Sequence, residues 1–167
     1  VAAANRTLAG EGGALQNARW PKEGMLSAAG PAKKTDAQFD QQPALCAVPD
    51  DLPEALEGAH VRLVHWWKDE LSGVKHYDAA TGEITLNRSM SMLVRAGDAF
   101  WLENVLSEPL APGEWAFDAQ AKMLYYAPKP GEAMDSAMLS YGALEMLMLF
   151  NGVSDITFEG LTLARTR

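Results

Sequence analysis

Ala99-Phe100-Trp101-Leu102-Glu103-Asn104-Val105, then Ala111-Pro112-Gly113-Glu114-Trp115-Ala116-Phe117-Asp118, then Met123-Leu124-Tyr125-Tyr126 decide the fold class. The first run is short, apolar and aromatic, a composition that suits a half-buried strand. In the second, Pro112 and Gly113 occupy the two central positions of a type II turn, where proline presets the backbone and glycine accepts the positive φ. Trp115 to Asp118 and Met123 to Tyr126 then predict a hairpin across residues 118–122. Pro128-Lys129-Pro130-Gly131 closes the unit.

Upstream, Val61, Leu63 and His65 alternate with Arg62, Val64 and Trp66. Val74 to Tyr77 leads through Asp78-Ala79-Ala80-Thr81-Gly82 into Glu83 to Leu86, giving strand, strand, turn, strand. The first fifty residues, rich in Ala, Gly and Pro, show no sustained period and predict mostly extended or looped chain, with Gly24 to Pro49 a surface excursion. Trp20 is the exception, because Pro21 biases it toward an extended conformation and leaves its ring as an anchor. Downstream, Leu144 to Phe150 suits either a helix or a buried strand, and strand is preferred. Ile156 and Phe158, a break at Gly160, then Leu161 and Leu163 are written like one rung of a parallel β-solenoid, whose further rungs would lie beyond Arg167.

The bulk numbers fit one main domain. The 167 residues carry 48% hydrophobic and 22% charged side chains, the balance of a globular protein able to bury a core. Twenty-two acidic against 14 basic residues give a net charge of -8, which argues against capture of nucleic acid or of an anionic membrane. No apolar run approaches a membrane span; Ala143 to Phe150 is short and holds Glu145. Cys46 is the single cysteine, so neither an internal disulfide nor a thiolate zinc site is available, and a small buried side chain is the expectation. The chain starts at Val1 and stops after a strand-like pattern, as an excised or processed segment would.

Trp101-Leu102-Glu103-Asn104-Val105, Pro112-Gly113-Glu114-Trp115, Leu124-Tyr125-Tyr126-Ala127-Pro128 and Pro130-Gly131-Glu132 resemble the insertion domain of secreted right-handed parallel β-helix proteins, notably the glycoside hydrolase family 141 group. That group's pattern is roughly LENV, PGEWYLD, LYYxPxxGE. The resemblance runs back through Ala18-Arg19-Trp20-Pro21 and His65-Trp66 and forward through Asp155 to Thr162. It departs at Lys22, where the family has Asn, and at Ala116, where the family has an aromatic. The resemblance implies a mainly β fold: a compact insertion domain, sandwich or barrel-like, over 19–142, after a poorly ordered or extended lead-in over 1–18. Residues 143–167 would then be return strands entering the β-helix.

It also implies an extracellular or periplasmic protein acting on polysaccharide, with catalytic carboxylates in β-helix rungs outside this sequence. The expected partner is the β-helix of the same parent chain, with glycan as a second. The function expected is that of a non-catalytic insertion domain; the alternatives are an autonomous carbohydrate-binding module and a self-contained glycan-cleaving enzyme.

Glycoside hydrolysis needs two carboxyl groups about 5–5.5 Å or 6.5–9.5 Å apart across one sugar site. Glu103, Glu114 and Asp118 are the carboxylates set among aromatics, and each also has a plain structural use: Glu103 and Asn104 bonding backbone at a chain reversal, Glu114 after its turn, Asp118 opening the hairpin loop. The structural use is preferred, so no catalytic residue is assigned. Trp66, Trp67, Trp101, Tyr125 and Tyr126, with Glu103 and Glu114, are the carbohydrate-binding candidates; alternation predicts that one of Trp66/Trp67 and one of Tyr125/Tyr126 points outward. His60, His65 and His76 match no compact metal pattern, and neither metal nor cofactor is expected.

Overall fold

The computed structural model describes residues 7–10, 13–31, 44–47, 49–134, 139–142 and 147–162. In chain order the strands are β1 (Leu8–Gly10), β2 (Gly13–Ala14), β3 (Gln16–Asn17), β4 (Arg19–Trp20), β5 (Leu26–Ser27), β6 (Gly30–Pro31), β7 (Ala44–Cys46), β8 (His60–Val64), β9 (Asp69–Asp78), β10 (Glu83–Leu86), β11 (Ala99–Glu103), β12 (Glu114–Asp118), β13 (Met123–Tyr126) and β14 (Ser140–Tyr141). A single 3-10 turn at Pro49–Asp51 is the helical element among the described residues.

The central sheet runs β4-β11-β8-β9-β10-β7-β6, with β5 also pairing β11. Its middle is built from the two alternating patterns legible in sequence. Val61 and Leu63 of β8, Ile84 and Leu86 of β10, and Phe100 and Leu102 of β11 are all buried on one core. This is the alternation of a half-buried antiparallel sheet. β9 is long enough to serve two partners, pairing β8 through Asp69–Gly73 and β10 through Val74–Asp78. The hairpin between β9 and β10 turns at Gly82, and Asp78 Oδ1 accepts the Ala80 N–H at 2.9 Å.

A second sheet, β13-β12-β3, is fed by the turn at Pro112-Gly113. Gly113 has φ 87° and Glu114 N–H donates to Ala111 O at 2.9 Å, the closed turn that proline and glycine predicted. The hairpin register pairs Trp115 with Tyr126 and Asp118 with Met123. β1 links β14 and β2 in a third, small sheet.

Three sequence expectations change. The sheets are open, so the barrel-like closure is not found; β4 and β6 end the central sheet unpaired on their outer sides among the described residues. The N-terminal segment, expected to be mostly extended or looped, holds short paired strands among its described residues. Within the expected lead-in, β1 and β3 pair with the distant β14 and β12, with β2 paired on β1, and in the expected excursion Ala28, Leu45 and Ala47 are core residues. Two-residue strands carry no readable period, and long-range pairing alone defines them. Trp20 does anchor: it packs on the core and its Nε1–H donates to Asp51 O at 2.8 Å.

The C-terminal expectations fare differently. Leu147 to Phe150 are irregular rather than strand, while residues 143–146 lie outside the described residues. Residues 151–162 are exposed and unpaired in any sheet, and Leu163 lies outside the description, as does the Cys46 side chain. The strands expected at Ile156 to Phe158 and at Leu161 are therefore not formed among the described residues.

Candidate functional site

Register brings the first cluster together. Arg62 sits in β8 opposite Trp101 of β11 and opposite Leu71 of β9, which places Glu103 and Asp69 on its two diagonals. Diagonal neighbours on one sheet face are within reach of long side chains. Arg62 Nε donates to Glu103 Oε1 at 2.6 Å, and its Nη1 bonds Asp69. The hydrogen bond to Glu103, with Asp69 assisting against burial, raises the Arg62 pKa further, and Arg62 in turn holds the Asp69 carboxyl below its usual range. Trp101 Nε1–H donates to the same Glu103 Oε1 at 3.0 Å. Its ring lies 4.9 Å from the Arg19 guanidinium and 5.8 Å from that of Arg62. Trp101 is therefore held among arginines, and Glu103 bonds side chains rather than the backbone bonds expected from sequence.

Glu114 is 4% exposed. Its Oε2 accepts from Lys22 Nζ at 2.6 Å and from Ala111 N–H at 2.8 Å, and its Oε1 from Arg19 N–H at 3.3 Å. Lys22, one of the two departures from the family pattern, thus acquires a definite role as the counter-charge of a buried carboxylate. At the other departure, Ala116 is fully buried. Asn104 completes the chain reversal: at φ 58° its Nδ2 donates to Gly58 O and Phe117 O, and its Oδ1 accepts from Phe117 N–H at 2.7 Å.

The aromatic candidates divide. Trp66 and Trp67 are 74% and 70% exposed, correcting the expectation that only one faces out. Alternation stops at Val64, and both rings sit in the turn between β8 and β9, where the strand period no longer applies. Arg95 lies over the Trp66 ring at 5.2 Å. Beneath the turn, Glu70 accepts from Ser91 N–H at 2.9 Å and from Ser91 Oγ, and Lys68 Nζ lies 3.1 Å from its Oε1. Burial works to raise the Glu70 carboxyl, but the bonds from Ser91 and Lys68 outweigh it and hold it low. His65 Nε2 is 3.2 Å from the same Glu70 oxygen but is not aligned to donate.

Tyr125 is the outward ring of its pair, 43% exposed, whereas Tyr126 is half-buried and donates its hydroxyl to Glu132. Tyr125 forms one wall of an open cleft with Leu106, Glu108, Leu110 and Asp118. This cleft shares Leu106 and Asp118 with a neighbouring one of about 510 Å³ against Glu57, Gly58 and Gln120. Asp118 Oδ1 caps its own loop, accepting from Gln120 and Ala121 N–H at 2.8 and 2.9 Å. No group of three or more His, Cys, Asp or Glu among the described residues is arranged to hold a metal.

Sequence reasoning did not find Arg19, Arg62, Arg95, Glu70 or Ser91, because each acts through partners distant in the chain or across a turn whose position was misread. One signal was present: Arg62 stands midway in an alternating strand, and a charge on a central strand needs a partner on the neighbouring one.

The fold is shared with a solved glycoside hydrolase. That structure, named "Glycoside hydrolase", superposes with a TM-score of 0.58 at 17% identity, over 81% of this chain and 26% of that one. This chain therefore spans about a quarter of the length of that structure. No family model matches the sequence. No curated protein matches it either.

Proposed function

We propose that this chain is a non-catalytic, β-rich insertion domain of a glycoside hydrolase-like β-helix protein that is extracellular or periplasmic and acts on polysaccharide. The observation that carries this reading is the state of the candidate carboxylates. Glu114 is buried against Lys22 and two backbone N–H groups, and Glu103 is shared by Arg62 and Trp101. A general acid or a nucleophile must have a carboxyl oxygen free to reach the sugar. Both carboxylates are instead spent on holding β4, β8, β11 and the Pro112-Gly113 turn together.

Two further observations support the reading. The fold likeness covers most of this chain but about a quarter of the glycoside hydrolase, the proportion of one part of a larger enzyme. Leu149, Phe150, Val153, Ile156, Phe158 and Leu161 are all at least half exposed within thirteen residues, and Phe150 meets Phe158 edge to face at 5.4 Å. Apolar side chains concentrated in this way mark an interaction surface. In this reading the β-helix of the same parent covers them, with Ile156 to Leu161 pairing as its adjoining rung.

The test is an activity screen of the purified chain on plant and bacterial polysaccharides, with reducing ends counted. No hydrolysis above background is expected. Turnover that is abolished by Glu103→Gln or Glu114→Gln would overturn the non-catalytic reading.

A further inference from the structure

The Trp66-Trp67 turn is the surface feature that the scaffold does not use. Both rings are more than two-thirds exposed, although a tryptophan left in water forgoes the largest apolar burial any side chain offers. The turn beneath them is nonetheless well fixed: Arg95 stacks over Trp66, Lys68 bonds Ser91, and Glu70 binds Ser91 and Lys68. His65 N–H donates to Lys68 O at 2.7 Å and closes the loop. Fixed exposed aromatic rings surrounded by hydrogen-bonding groups are the composition of a carbohydrate contact, in which the ring takes the apolar face of a sugar and the rim takes its hydroxyls.

From this we infer that Trp66 and Trp67 form a polysaccharide-binding ledge, with Lys68 and Arg95 as its polar rim. The inference rests on the reading that the parent acts on polysaccharide. Size favours a sugar over a protein partner. Two tryptophans at about 150–250 Å² each offer roughly 300–500 Å², short of the ~800 Å² per partner that a stable protein interface buries. Ring geometry narrows the ligand class. The planes cross at 68° with centroids 5.9 Å apart, so they form a notch rather than a flat strip. Arg95 stacks over Trp66 at the side of this notch, within reach of the hydroxyls of a sugar held there. A notch grips single residues along a soluble chain; coplanar rings would be needed to lie on a crystalline polymer face.

The whole chain is tested by affinity electrophoresis in gels holding soluble arabinoxylan, galactomannan or polygalacturonan. At least one polymer is expected to retard it, Trp66→Ala and Trp67→Ala to weaken that retardation at least tenfold, and Tyr125→Ala to leave it unchanged. Because both rings are exposed, the melting temperature of either tryptophan variant should match that of the parent chain. Unretarded migration in all three polymers overturns the ledge, as does retardation that survives both substitutions or that is lost only with Tyr125→Ala. A change of oligomeric state without a change in retardation also overturns it, marking the rings as a protein contact. None of these results touches the non-catalytic reading, which fails separately through hydrolysis by the chain.

Discussion

Glu114 shows how much of the design rests on one side chain. A carboxylate with almost no solvent contact is tolerable only when paired, and removing its partner leaves the charge buried. Lys22→Met is expected to cost about 1–3 kcal/mol, since the N–H groups of Arg19 and Ala111 still contribute bonds. Adding Glu114→Gln should recover part of that loss, and urea titrations of the two single variants and the double variant measure the coupling. His60 gives the pH dependence. Burial lowers its pKa, with Glu103 opposing, so the folded state prefers the neutral ring. The unfolded chain then binds more protons near its ordinary value of about 6.5, and stability rises with pH. His60 therefore contributes nothing unfavourable above that value, and stability falls as the pH drops below it. His60→Gln should flatten this part of a stability profile recorded between pH 5 and 8; an unchanged slope would show that His60 does not set it.

At the scale of elements, the β12–β13 hairpin carries the heaviest single contribution. Trp115 is buried in β12, donates its Nε1–H to Leu15 O at 3.2 Å and meets Tyr141 edge to face at 6.4 Å. It therefore joins β12 to the chain between β2 and β3 and to β14. Trp115→Ala is expected to cost about 3–5 kcal/mol, a large share of the roughly 5–15 kcal/mol that holds a typical domain together. Tyr125→Ala, on the outward face of the paired strand, should shift a denaturation midpoint little. Gly113→Ala tests the turn: a side chain at φ 87° is strained, and its Cβ would stand 2.9 Å from Lys129 Cε. About 1–2 kcal/mol is expected from the backbone conformation alone, read as a lower melting temperature.

These elements also mark what a sequence conveys. The Pro112-Gly113 turn, the alternation of Val61 with Leu63, and the Trp115–Tyr126 hairpin are local, and each was legible because the signal lies within a few residues. Strands β3, β5 and β6 were not, since two residues have no period and their partners lie elsewhere in the chain; of β4, the Trp20-Pro21 pair alone was legible. Trp66 and Trp67 were misassigned for a related reason: alternation through Val64 looks the same whether the strand continues or turns. The arginine cluster needed the β8–β11 register, which fixes Arg62 opposite Trp101 only once the sheet is assembled. Glu103 was expected to bond backbone at the chain reversal, and its partners are instead Arg62 and Trp101.

For the molecule as a whole, the contrast lies between a core sheet sealed by Phe100, Leu63 and Ile84 and a C-terminal segment whose apolar side chains face solvent. Leu149, Phe150, Ile156 and Phe158 in water represent burial that a partner surface would recover. Hydrogen exchange over residues 147–162, compared between this chain by itself and a longer polypeptide carrying the β-helix proposed as its parent, tests the central proposal most directly. Segments without a hydrogen-bonded ladder exchange fast, and paired rungs exchange slowly. The account predicts rapid exchange of 147–162 in the isolated chain and strong protection in the parent, with β8 and β11 protected in both. Strong protection of 147–162 in the isolated chain, or equally rapid exchange in the parent, would contradict it.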